Sequence, residues 1–194
     1  MLQAGGHQLM KLKDGLLIKP TKLSEVEFYS IHLSKYPKLC ELIPKFHGSG
    51  LTVDIKEMFT ETEYQTIIEK KYTHYVILEN LITKSMNIID LKLGSVHWRS
   101  DASEETIRNH KIRNQLSITE TYKFRLDGAI VNKSIYHKDD CRNMPIEKIK
   151  DIISNIPKRQ IPAINSWIAK LSKFLSKIDL NIYGPSMLII YDDT

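Results

Sequence analysis

Cysteine is nearly absent: Cys40 and Cys141 stand alone, with no CxxC pair and no second cluster, so neither a disulfide framework nor a zinc site is expected. The histidines show no HxxxH spacing that would hold a metal. No apolar run reaches the roughly 18 residues of a membrane span, and the start "MLQAGGHQLMKLKDG" lacks the apolar stretch of a signal peptide. Internal repeats and low-complexity segments are missing as well. There is no long basic run, and the basic residues are not interleaved with aromatics as single-strand binders require, so direct nucleic-acid binding is not expected. These absences favour a soluble chain of a reducing, intracellular compartment. A monomer in the cytoplasm, with the nucleus left open, is the expectation.

What is present suits one domain or two small lobes with a shared core: 194 residues, 42% of them hydrophobic. The formal charge of +5, from 28 Lys and Arg against 23 Asp and Glu, is compatible with an anionic partner.

Local patterns divide the chain. "HQLMKL" and "LLIKP" flank Lys13-Asp14-Gly15, whose Asp-Gly pair predicts a hairpin. "SEVEFYSIHLSKY" has helical spacing with Ser24 as its cap, and Pro37 and Pro44 break the pattern. "KFHGSGLTV", "IIEKKYTH" and "YVILENL" read as strands of one mostly antiparallel sheet, with residues 60–66, "TETEYQT", as a polar loop. "SDASEETIRNHKIRNQ" predicts a helix beginning at Ser100 or Asp101. "YKFRLDGAIVN" reads as a strand pair turning at Asp127-Gly128. "PIEKIKDIISNI" and "IPAINSWIAKLSKFLSKI" are amphipathic helices, the second with Ile164, Trp167 or Ile168, Leu171, Phe174 or Leu175, and Ile178 along one side. "SMLIIYDD" is a buried closing strand.

"MNIIDLKLG", residues 86–94, puts two opposite charges into an apolar strand. Residues i and i+2 of an extended chain share a face, so Asp90 and Lys92 stand on one side while Ile89, Leu91 and Leu93 pack on the other. Such a pair is either a solvated edge or half of a site.

This stretch resembles the PxxxDxKxG signature of the inositol polyphosphate kinases, with Asp90, Lys92 and Gly94 matching and Met86 in place of the proline. Further strings follow in family order: "GGH" with His7, "LLIKP", "SEVEFY", "VILENL", "DASEE" and "SMLIIYD". The pattern looks closest to the inositol hexakisphosphate kinase branch. The resemblance implies an α+β, two-lobed kinase-like fold of mostly antiparallel sheets with flanking helices and with ATP in the cleft. Residues 1–81 would form the N-terminal lobe and 82–194 the C-terminal lobe.

The resemblance also distributes roles. Lys19 would reach the nucleotide phosphates, held by Glu25. Glu79, Asn80 and Leu81 would form the hinge that meets adenine through backbone groups. Asp90 would contact ATP close to the reacting centre, and Lys92 would face both the transferred phosphoryl group and the substrate. Phosphoryl transfer needs positioning and charge neutralisation more than covalent help. Thr106, Asn109, His110 and Arg113 recur at i, i+3, i+4 and i+7, one face of the "DASEE" helix, and are the substrate-binding candidates. An inositol ring with six phosphates carries roughly −9 to −12, so cations must converge on it.

ATP and Mg2+ are the implied cofactors and an inositol polyphosphate the implied partner. Family members hold magnesium through an aspartate in a segment after the "LLIIYD" strand. The sequence given ends at Thr194, and Asp192 and Asp193 are not that motif. A truncated or catalytically dead polyphosphate-binding module is therefore the alternative expectation, with no metal ligand named within this chain.

Overall fold

The computed structural model describes residues 9–82, 86–98, 101–177 and 182–192. The "GGH" string, Ser100, Ile178 and Asp193 lie outside the described residues. These residues divide into two compact units, one of residues 9–81 with Ala169–Ser176 and one of Ile82–Ile168 with the described residues from 177 onward.

The first unit is a four-stranded antiparallel sheet. β1 (Lys11–Lys13) and β2 (Leu16–Thr21) pair with Lys13 opposite Leu16, so the turn is Asp14-Gly15. Both turn residues have positive φ, 51° and 77°, the twist that a two-residue hairpin requires. α1 (Leu23–Glu27) follows and runs on through a π-helical turn, Phe28–His32, and a 3-10 turn, Leu33–Lys35. Its N-cap is Lys22 without a side-chain cap, so Ser24 is a first-turn residue rather than the cap. After α2 (Pro37–Cys40) come β3 (Phe46–Leu51), a 3-10 segment (Thr52–Met58), α3 (Glu61–Glu69) and β4 (His74–Glu79), giving the strand order β1-β2-β4-β3.

α3 corrects two expectations. Thr60 and Glu63 form a reciprocal capping box, so the polar stretch 60–66 begins a helix, and Ile67, expected in a strand, is instead that helix's buried anchor. Both faces of the sheet are covered. Ile18 packs with Ile55, Phe59 and Ile67, while Leu17, Val76 and Leu78 pack with Val26 of α1.

The second unit is built on β5 (Asn87–Leu93), flanked by β6 (Phe124–Val131) and β8 (Ser186–Tyr191), with β7 (Ser134–Tyr136) outside β6, all antiparallel. "YKFRLDGAIVN" is thus one strand. The hairpin turn sits later, at Asn132-Lys133, both with positive φ. Asp127-Gly128 lies inside β6, where the run Leu126 to Val131 is buried and sheet pairing outweighs local turn preference. β8 is exposed at Leu188 and buried at Ile189 and Tyr191, so it is a half-covered strand beside β5 rather than a fully buried one.

One face of this sheet, with Ile89, Leu91, Leu126 and Ala129, packs on Cys141 of α6 (Lys138–Cys141) and on Ile149 and Ile152 of α7 (Ile146–Ser154). Fully burying each such isoleucine contributes roughly 1.5–3 kcal/mol. α4 (Glu104–Gln115) and α5 (Thr119–Tyr122) lie between β5 and β6 in sequence. α4 is capped by Ser103, whose hydroxyl accepts from the Thr106 amide at 3.3 Å, so it starts after Asp101 rather than at it. α8 (Ile161–Leu175) keeps the expected apolar side, yet none of its residues is buried.

Candidate functional site

β5 is an interior strand, and this decides the fate of its two charges. Asp90 is 8% exposed. Its Oδ1 has no hydrogen-bond partner among the described residues, and the carboxylate accepts from the Ser186 hydroxyl. Burial first, and then the negative charge of Asp127, push its carboxyl up to about 6, against the opposing pull of Ser186, Lys92 and Lys138. Burial depresses the Lys92 ammonium below the usual lysine range, with Asp127 and Asp90 resisting the change. The pair is therefore not a solvated edge.

Arg125 of β6 is the register partner of Lys92. Without a shift in pairing, Asp90 and Asp127 would stand directly opposite one another. A bulge between Asp90 and Leu91 gives β6 one extra residue, so Asp90 faces Gly128 instead. Asp127 then lies between two cations, 3.0 Å from Lys138 Nζ and 3.5 Å from Arg125 Nε. Burial alone would raise its pKa, but Lys138, Arg125 and Lys92 together hold it below the usual carboxylate range.

Around this cluster the second unit forms a pocket of about 210 Å3. Lys92, Arg113, Arg125, Lys138 and Arg142 line it, together with His97, His110, Asn114 and Ser117. No carboxylate is among the lining residues. Arg125 Nη1 lies 2.8 Å from His97 Nε2. Burial, followed by the charges of Arg125, Lys92 and His110, lowers the His97 pKa to about 4. Burial and the neighbouring Arg113 and Arg125 also lower that of His110. Both rings are thus neutral near pH 7. Chemically, the pocket is a receptor for a multiply charged anion, with forked guanidinium donors suited to phosphate.

α4 supplies one wall through His110, Arg113 and Asn114, joined by Ser117 just past its end, and Asn114 Nδ2 also donates to the Ser95 carbonyl at 2.6 Å and ties the helix to the segment after β5. Of the four residues expected on the binding face, His110 and Arg113 line the pocket. Thr106 and Asn109, one turn earlier, are exposed and do not, and Thr106 is engaged with the cap residue Ser103.

The residues assigned to the nucleotide lie in the first unit, apart from Asp90. Lys19 projects from β2, opposite Val76, and its Nζ is 2.7 Å from Glu25 Oε1, while the Thr21 hydroxyl bonds the other Glu25 oxygen. Glu79 ends β4, its amide donating to the Lys45 carbonyl at 2.8 Å and its carboxylate accepting from the Lys45 amide at 3.3 Å. Asn80 and the exposed Leu81 follow as irregular chain. Among the described residues, no group of three or more His, Cys, Asp or Glu could hold a metal ion.

His97, Asn114, Ser117, Arg125, Lys138 and Arg142 belong to no expected site, and Asp127 was expected only in a turn. For two of them a signal exists: "FRLDG" carries Arg125 and Asp127 at i and i+2 within an apolar run, the same spacing as Asp90 and Lys92. Lys138 and Arg142 reach the pocket by tertiary folding alone.

The inositol polyphosphate kinase family model matches residues 75–194. Among solved structures, inositol phosphate multikinase Ipk2 from S. cerevisiae, in complex with ADP and Mn2+, is similar with a TM-score of 0.63 at 19% identity, over 92% of this chain and 75% of that one. A second structure, from structural and engineering work on inositol phosphate multikinase, gives a TM-score of 0.62 at 19% identity, over 87% and 79%. A search of curated proteins finds no match.

Proposed function

The chain belongs to the inositol polyphosphate kinase family, and from that premise we propose that it is an ATP-dependent inositol polyphosphate kinase whose substrate occupies the basic pocket of the second unit. The observation that carries this reading is a pocket wall with five fixed cations and no carboxylate. Lys92 faces the transferred phosphoryl group, where an ammonium offsets the charge that develops as the bond to the leaving oxygen breaks. Arg113, Arg125, Lys138 and Arg142 take the phosphates of the ring. Lys19, steadied by Glu25, takes the nucleotide phosphates, and the chain at Glu79, Asn80 and Leu81 offers backbone groups to adenine. Asp90 lies beside the nucleotide.

The substrate proposed first is inositol hexakisphosphate, converted to a pyrophosphate. It rests on the "DLKLG", "DAS" and "LLIIYD" strings, which are similar to the hexakisphosphate branch. The nucleophile there is already anionic and needs no strong base. A lower inositol phosphate, phosphorylated on a hydroxyl, is the second reading, and one observation favours it: five cations fall short of the roughly −9 to −12 of six phosphates.

The test is ADP release from ATP and a divalent metal in the presence of separate inositol phosphates, with the products identified by mass. Turnover of one of them supports the enzyme. Tight binding without ADP release would replace the kinase reading with a non-catalytic binding module.

A further inference from the structure

Arg125 has no hydrogen-bond acceptor of its own, so its 2.8 Å contact with His97 Nε2 requires that nitrogen to be the acceptor. The ring proton must then sit on Nδ1, which is buried and without a partner among the described residues. A buried, unpaired N–H is costly unless another interaction offsets it. The offsetting contact is the one to Arg125, whose Nε side also faces Asp127 at 3.5 Å. The guanidinium is therefore gripped at two edges, leaving its remaining N–H donors for the pocket that it lines. A protonated imidazole would set two donors head to head at this distance. The neutral ring described above avoids that.

We propose that His97 is a positioning residue for this reaction: as a neutral acceptor it fixes the Arg125 guanidinium so that its outer donors meet a phosphate of the inositol ring. This rests on the reading of the basic pocket as the substrate site. His97 acts on the substrate through Arg125 and moves no proton itself.

The experiment uses the full chain and inositol hexakisphosphate as probe, with affinity measured by titration calorimetry and melting temperature measured alongside. Arg125→Ala is the control, with binding expected to fall about 10- to 100-fold, the range for a lost hydrogen bond to a charged group. His97→Leu should weaken binding by about tenfold or more through the same loss. His97→Gln, whose amide oxygen can stand in for Nε2, should restore most of it. Weak binding by Arg125→Ala with normal binding by His97→Leu would overturn the positioning role alone, as would His97→Gln no better than His97→Leu. Normal binding by Arg125→Ala would overturn the pocket reading as well. Imidazole 15N NMR on the unmutated chain tests the same point if the leucine variant fails to fold. It should show His97 protonated on Nδ1 and bare on Nε2 at pH 7, and a proton on Nε2 would overturn the proposal.

Discussion

Lys92 of β5 and Arg125 of β6 are direct cross-strand partners, two cations side by side on a half-buried sheet face. Like charges so placed repel. Here Asp90 and Asp127 on the same two strands offset the repulsion, and both carboxylates are buried while the cations line the pocket. The arrangement stores positive potential at the surface that a phosphorylated ligand would meet.

Replacing Lys92 by alanine is expected to lower kcat by about 100-fold or more, the scale of losing one preorganised transition-state contact, with a much smaller change in ATP binding. Steady-state kinetics with nucleotide binding measured in parallel checks this.

Asp90 gives a stability prediction of definite sign. Its folded pKa, about 6, lies above the ordinary aspartate value of 3.8, so the folded state holds the extra proton between those two pH values. Its contribution to stability is therefore fully present below about pH 4 and is lost as pH rises through about 6. Asp90→Asn should raise stability at pH 7 by up to about 3 kcal/mol while severely reducing turnover. Denaturant titration and the ADP assay read the two effects.

Asp127 is the second-largest influence raising the Asp90 pKa, after burial. If turnover requires ionised Asp90, kcat falls as pH drops through about 6. Asp127→Asn should move that acid limb to lower pH, and a pH–rate profile measures it.

Gly184 has φ of +55°, and a Cβ there would lie 3.0 Å from His97 Nδ1 and 3.2 Å from Lys92 Cε. Gly184→Ala is expected to cost roughly 1–2 kcal/mol of stability from the left-handed backbone alone. It should also impair turnover, since the methyl group presses on both pocket residues. Melting curves and kinetics would show both losses.

Much of this was legible in the sequence because local and tertiary preferences agreed. Asp14-Gly15 makes the expected hairpin, and Asp90 and Lys92 share a strand face as the period of two requires. Asp127-Gly128 has the same turn composition as Asp14-Gly15, yet its neighbours Leu126 and Ala129 are fully buried, and burial decides. The capping box of Thr60 and Glu63 was readable but is masked by a polar first turn. On α4 the stripe had the right angular position but began a turn too early, since Ser103 and not Asp101 starts the helix and Asn114 anchors it to Ser95. Lys138 and Arg142, brought in from α6 and the residue after it, have no sequence signal that could place them beside β5.

The most direct test is a crystal structure with an inositol phosphate bound. Phosphate oxygens within hydrogen-bonding distance of Lys92, Arg125 and Lys138 are the predicted result. A ligand seated elsewhere, with those three side chains in contact only with solvent or with Asp127, would contradict the assignment of the pocket.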